Sequence, residues 1–98
     1  MATTHRKDNS SVQRRLARRY CDAGDQQALQ DDAQGAIELY QRAAELDADN
    51  ARAHLSIGDA HLLLDRDDRA MASYRHALKK KPDSAEAHFC MADLLSRS

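Results

Sequence analysis

The 98-residue chain has no tryptophan, one phenylalanine, three tyrosines, one proline and three glycines. So few turn-forming residues leave little room for the tight reversals of a sheet sandwich or barrel, and so few aromatics point to a core packed from small side chains. Cysteine is confined to Cys21 and Cys90, far apart and without metal-ligand spacing. That usage fits a reduced intracellular protein better than one held by a structural disulfide. No apolar run approaches the roughly 20 residues that span a bilayer, and the polar start of the chain lacks the apolar stretch of a secretory signal. Charge of one sign is not in excess either. Fifteen Lys and Arg stand against sixteen Asp and Glu, so no global field directs the molecule to nucleic acid or to a membrane. The expected location is the cytoplasm.

Catalytic patterns are missing as well. The sequence holds no nucleophile–base pair, no HExxH, no phosphate-cradling glycine loop and no four-ligand cysteine set. Five histidines are present, and His54 and His61 share a helix face, but seven residues of helix separate them by about 10 Å, too far to share one zinc. His54 and His88 read as packed, partly buried rings, and His76 falls on a second helix with no evident partner. The expectation is a protein that is not an enzyme and uses no cofactor or metal.

The near-neutral average hides a division. Residues 1–19 carry Arg6, Lys7, Arg14, Arg15, Arg18 and Arg19 against Asp8 alone, and the remainder is net acidic. Arg14-Arg15 with Arg18-Arg19 reads first as solvated helix surface, because few aromatics or amides accompany it to read bases. A transit-peptide reading of residues 6–20 conflicts with the repeat that begins at residue 17.

The dominant feature is internal repetition. Shifted by 34 residues, the chain matches itself at ten positions between residues 17–50 and 51–84, among them Gly24 with Gly58, Asp25 with Asp59, Leu29 with Leu63, Ala36 with Ala70, Tyr40 with Tyr74 and Ala43 with Ala77. The period continues as Ala51, Ala53, His54 and Asp59 recur in Ala85, Ala87, His88 and Asp93. Within a unit, Ile57, His61 and Leu64 follow helical spacing, as do Ala70, Tyr74, Ala77 and Leu78 beyond a polar break. Each unit is therefore two helices. Asp49-Asn50 and Asp83-Ser84 are placed to cap the first helix of their units, and Lys79-Lys80-Lys81 before Pro82 marks a helix end. Upstream, Ser10-Ser11 is placed to cap a helix from near Val12, with Val12, Leu16 and Tyr20 on one face, and residues 1–9 read as a flexible basic arm.

This 34-residue helix-turn-helix unit resembles the tetratricopeptide repeat, or TPR. Ile57, Gly58, Ala70, Tyr74, Ala77 and Pro82 carry the pattern in the second unit, and Tyr20, Gly24, Ala36, Tyr40 and Ala43 in the first. Departures are His54 and His88 at the tryptophan-like place, Gln27 and His61 at a tyrosine-like place, and Ala48 where proline is expected. The resemblance implies an all-α fold, with antiparallel helix pairs stacked as a right-handed α-solenoid. It makes residues 10–98 one domain, comprising repeats 17–50 and 51–84 and a closing helix 85–98.

It also implies a function. First helices of successive TPR units line a concave groove that holds a peptide or helical segment of a partner protein. Here the groove rows are Cys21, Leu55 and Phe89, then Asp25, Asp59 and Asp93, then Ala28, Leu62 and Ser96, with Arg18 and Arg52 beside them. TPR helices that grip acidic C-terminal peptides present Lys, Arg and Asn in such rows. This chain presents aspartates and apolar residues, which suit a partner with apolar anchors and Lys or Arg. Arg18 and Arg52 are placed to pair with those aspartates, and solvated surface acids are the plain alternative. Apolar residues on several sides of the last helix, Phe89, Met91, Leu94 and Leu95, raise a second reading, a structural subunit that self-associates there into a homo-oligomer. A basic-armed nucleic-acid accessory protein is a third reading, behind both.

Overall fold

The computed structural model describes the backbone of residues 2–97 and the side chains of residues 11–97. It consists of five helices: α1 (Ala2–Leu29), α2 (Ala33–Leu46), α3 (Ala51–Leu63), α4 (Asp67–Lys80) and α5 (Ala85–Arg97). No strand occurs among the described residues. Each helix packs on the next in chain order, and α1 also touches α3, which makes a helical repeat solenoid. Two antiparallel helices form each unit, as the 34-residue period predicts.

Local chemistry sets the helix ends. Asn50 Oδ1 accepts from the Ala53 amide at 3.1 Å, Ser84 Oγ from the Ala87 amide at 3.3 Å and Asp32 Oδ1 from the Gly35 amide at 2.9 Å. Helix α4 has no side-chain cap and instead carries Asp67 and Asp68 in its first turn, where negative charge meets free amides. The turn inside each unit repeats as well. Asp31 (φ 63°) and Asp65 (φ 59°) both sit in the left-handed region, and the following amides of Asp32 and Arg66 reach back to the carbonyls of Gln27 and His61 at 2.9 Å. This is the closure that usually employs glycine.

Helix α1 differs from expectation at its start. It begins at Ala2 rather than near Val12 and passes through Ser10-Ser11. No proline or glycine precedes Gly24, so nothing in the backbone forces an interruption. The side chains of residues 1–10, Arg6 and Lys7 among them, lie outside the described residues. Val12 (57%) and Leu16 (41%) remain exposed on the overhanging part of the helix.

The core is built mainly from alanine, together with Tyr40, Tyr74, Cys21, Ile37, Ile57 and Leu94. Ala17, Ala36, Ala43, Ala53, Ala70, Ala77 and Ala87 are completely buried, and such small residues let helix backbones approach closely. Tyr40 and Tyr74 lie across Gly24 and Gly58, whose bare Cα atoms leave the space that each ring fills. A Cβ on either glycine stands 2.5 or 2.6 Å from the nearest ring atom, so this contact requires glycine.

Candidate partner-binding site

The aspartate row is part of the scaffold before it is anything else. Tyr40 donates its hydroxyl to Asp25 Oδ1 at 2.6 Å, and Tyr74 donates to Asp59 Oδ1 at 2.6 Å. Each bond joins the two helices of one unit, which gives a fold-level reason for the recurrence of Asp at these places. Burial and the neighbouring carboxylate hold both tyrosines well above the usual phenol range, so they remain donors at any physiological pH. Neither aspartate is a freely solvated surface acid.

The row is also graded in charge. Arg52 Nη2 donates to Asp22 Oδ1 at 2.9 Å and to Asp25 Oδ2 at 3.0 Å, so both oxygens of Asp25 are occupied and its charge is answered. The anticipated pairing of Arg52 with the row is present. No ion pair is formed by Asp59 or Asp93 among the described residues. Partial desolvation and the nearby Glu86 raise the Asp59 carboxyl above the ordinary range despite the Tyr74 bond. Within the row, Asp59 and Asp93 are thus the carboxylates without an internal cation among the described residues.

Apolar members of the expected site fare differently. Cys21 is completely buried, in the same core cluster as Ala53 and Ile57, so it leaves the exposed row as a correction. Leu55 and Leu62 are partly buried against the cluster of Ala70, Tyr74 and Leu94. Phe89 is 73% exposed on α5. Arg18 lies apart from the acid row, in an open notch of about 450 Å³ that it lines with Arg14, Arg52, Lys80 and Lys81 opposite Asp47 and Asp49.

Two leucines take the place of the lost anchors. A cleft of about 410 Å³ between α1 and α3 is lined by Asp25, Ala28, Leu29, Tyr40, Ser56, Asp59, Ala60 and Leu63. Leu29 (80%) and Leu63 (66%) are the exposed apolar side chains at its edge. The sequence contained their signal, since they are identical across the 34-residue shift. Without knowledge of the helix rotation, an identity in the last turn of a helix has no assigned direction.

The remaining polar groups are structural. His54 stacks on His76 with ring centroids 5.4 Å apart, so His76 has the partner that sequence reasoning did not find. His61 is 8% exposed, and its Nδ1 is buried without a hydrogen bond. His88 donates from Nε2 to the Pro82 carbonyl at 2.9 Å. Among the described residues no three His, Cys, Asp or Glu side chains cluster as a metal site. Cys21 and Cys90 are free thiols, and burial pushes both up from their ordinary value, which keeps them poor nucleophiles at neutral pH. No described helix is long and apolar enough to cross a membrane.

Comparison with known families agrees with this geometry. The TPR repeat family matches residues 24–65, and a second tetratricopeptide repeat model matches residues 51–94. The chain belongs to the tetratricopeptide repeat family. No curated protein matches it. Such repeats generally mediate protein–protein interaction.

Proposed function

We infer that this protein is a binding module rather than an enzyme, and that the cleft between α1 and α3, extended along α5, holds a segment of a partner protein with apolar anchors and Lys or Arg. The observation that carries the reading is the coincidence in one cleft of two exposed leucines, Leu29 and Leu63, with the Asp25–Asp59 row. The leucines supply apolar area for anchors. Asp59, and Asp93 beyond it, supply negative charge with no internal cation, which attracts a basic segment and repels an acidic one. Asp25 contributes less, because Arg52 already holds it.

Fluorescence anisotropy with a labelled helical peptide of leucines and lysines, against a counterpart carrying glutamate for lysine, tests this. At low salt the lysine peptide is expected to bind and the glutamate peptide to fail. Asp59→Asn with Asp93→Asn should weaken binding about 3- to 10-fold, the scale of two partly exposed charge pairs. Asparagine at residue 59 retains an acceptor for Tyr74, so the fold is preserved. Arg52→Ala, which releases Asp25, should strengthen binding, and Leu63→Ser should weaken it. Equal affinity of the two peptides, or indifference to the double substitution at low salt, refutes the proposal.

A further inference from the structure

The α1–α3 cleft belongs to a longer groove whose charges stand in a fixed order. On α1, Arg14, Arg18, Asp22, Asp25 and Leu29 follow one another at spacings of four, four, three and four, which at about 100° per residue keeps them within a sector of about 80°. On α3, Arg52, Ser56, Asp59 and Leu63 stand at the places of the last four under the 34-residue shift, within a sector of about 60°. Both stripes run from cation through acid to leucine. The structure sets them side by side in the same direction. Arg52 reaches back to Asp22 and Asp25 at 2.9 and 3.0 Å, and Leu29 and Leu63 edge one cleft with Asp25 and Asp59. Helix α5 breaks the order, with Glu86 at the arginine place and Arg97 at the leucine place, so the ordered groove belongs to α1 and α3.

At its cationic end the groove meets the notch of about 450 Å³. Arg52 joins the two, since it lines the notch and holds Asp25, which lines the cleft. Its own charge is answered by Asp22 and Asp25, and that of Lys80 by Asp49 at 3.8 Å. Arg14, Arg18 and Lys81 are exposed and form no ion pair among the described residues, against Asp47 as the lining carboxylate that forms none. This surplus of cations suits a short run of acidic side chains. A nucleic-acid strand suits it less, because Asp47 and Asp49 stand in the same wall and no aromatic side chain lines it for bases to stack on.

We propose that the groove recognises a partner segment by the order of its side chains: acidic residues against Arg14, Arg18 and Lys81, then Lys or Arg against Asp25 and Asp59, then apolar anchors against Leu29 and Leu63. This rests on the peptide reading above and adds an acidic end to it. Along α1, Asp25 follows Arg18 by seven residues and Leu29 by eleven, about 10 Å and 16 Å of helix rise. A helical ligand laid along α1 therefore carries its acidic and basic groups about two turns apart, and its basic and apolar groups about one turn apart. The same composition with acid and base exchanged sets like charges face to face at both places, and repulsion of that kind excludes a wrong partner.

Fluorescence anisotropy of the full chain at low salt tests this with three labelled helical peptides. The first is a parent of lysines and leucines, the second adds two glutamates about two turns beyond the lysines, and the third exchanges those glutamates with the lysines. The last two share one composition, and each is made in both chain directions. The glutamate-ended peptide, in the better of its directions, is expected to bind about 3- to 10-fold more tightly than the parent, and the exchanged peptide more weakly. Arg14→Glu with Arg18→Glu, at exposed positions where circular dichroism checks folding, should remove the gain, and a lysine-ended peptide should then bind more tightly than the glutamate-ended one. Failure of every peptide to bind overturns the peptide reading and the ordered groove together. Binding of the parent with no gain from the glutamates, equal affinity of the two orders, or a gain that survives the double reversal overturns the ordered groove alone. So does a single-stranded oligonucleotide that binds more tightly than the glutamate-ended peptide and is lost on the double reversal, which assigns the cationic end to nucleic acid.

Discussion

Gly58→Ala separates two opposing effects of known size. Alanine in the middle of a helix is favoured over glycine by about 1 kcal/mol, so on an open surface the substitution would stabilise α3. At residue 58 the new Cβ stands 2.6, 2.8 and 3.0 Å from Cε1, Cδ1 and Cζ of Tyr74. The ring cannot easily withdraw, because it is completely buried and its hydroxyl is held by Asp59 at 2.6 Å. Overpacking of this kind costs about 1–3 kcal/mol, and displacing the hydroxyl from a carboxylate adds about 1.5–3 kcal/mol. The steric side wins by about 1.5–5 kcal/mol, which for a domain of this size lowers the melting temperature by at least about 6 °C. Urea unfolding followed by far-ultraviolet circular dichroism measures it. The decisive control is the same substitution in a Tyr74→Leu background, where the ring is gone and Gly58→Ala should stabilise by up to about 1 kcal/mol. A Gly58→Ala protein with an unchanged urea midpoint, or an equal loss in both backgrounds, refutes the reasoning.

Three further outcomes are expected. Tyr74→Phe should destabilise by about 1–3 kcal/mol, and by more than Tyr40→Phe, because Asp25 keeps Arg52 while Asp59 has no cation; paired urea midpoints report the difference. Asp65→Gly should stabilise by about 0.5–1 kcal/mol, since a non-glycine residue there is held at a φ of 59°; a lowered midpoint would show that the Asp side chain earns its place in that turn. Burial lowers His54 and His61 below the ordinary 6.5, assisted by His76 and Lys80 in the first case and Arg66 and Arg69 in the second. The unfolded chain thus takes up protons first, so stability is fully present above about pH 6.5 and falls as pH drops below it; urea midpoints between about pH 7.5 and 5.5 should show this slope, reduced by His61→Leu.

The repeat carried most of the fold in its spelling. Gly24 with Gly58, Tyr40 with Tyr74 and the capping residues Asn50 and Ser84 each state a local geometric demand, and the structure meets each one. The site was only partly legible. Cys21 looked like a groove residue because the period put it in a row with Leu55 and Phe89, yet it is completely buried beside α3 residues such as Ala53. Asp25 and Asp59 looked like ligand-facing acids because a carboxylate on a helix is usually solvated. Their Tyr partners are fifteen residues away on another helix, and only the packed pair brings them to 2.6 Å. The His54–His76 stack is hidden for the same reason, since it depends on how α3 and α4 are rotated against each other. Spacing within one helix gives a face, and the neighbour decides what the face meets.

The buried side chains form two clusters rather than one. The larger runs from Ala17 to Ala60 through α1, α2 and α3, and the smaller joins Ala70, Tyr74 and Leu94 of α4 and α5. Helix α3 belongs to both, with Ala53 and Ile57 in one and Leu55 and Leu62 against the other. Such an arrangement comes apart in order. The α4–α5 edge, with less buried surface to hold it, opens at lower free energy than the α1–α3 block, and its amides should exchange with solvent first. A partner seated in the α1–α3 cleft and along α5 would then act as a clasp, and its grip would be read as slowed exchange along α5.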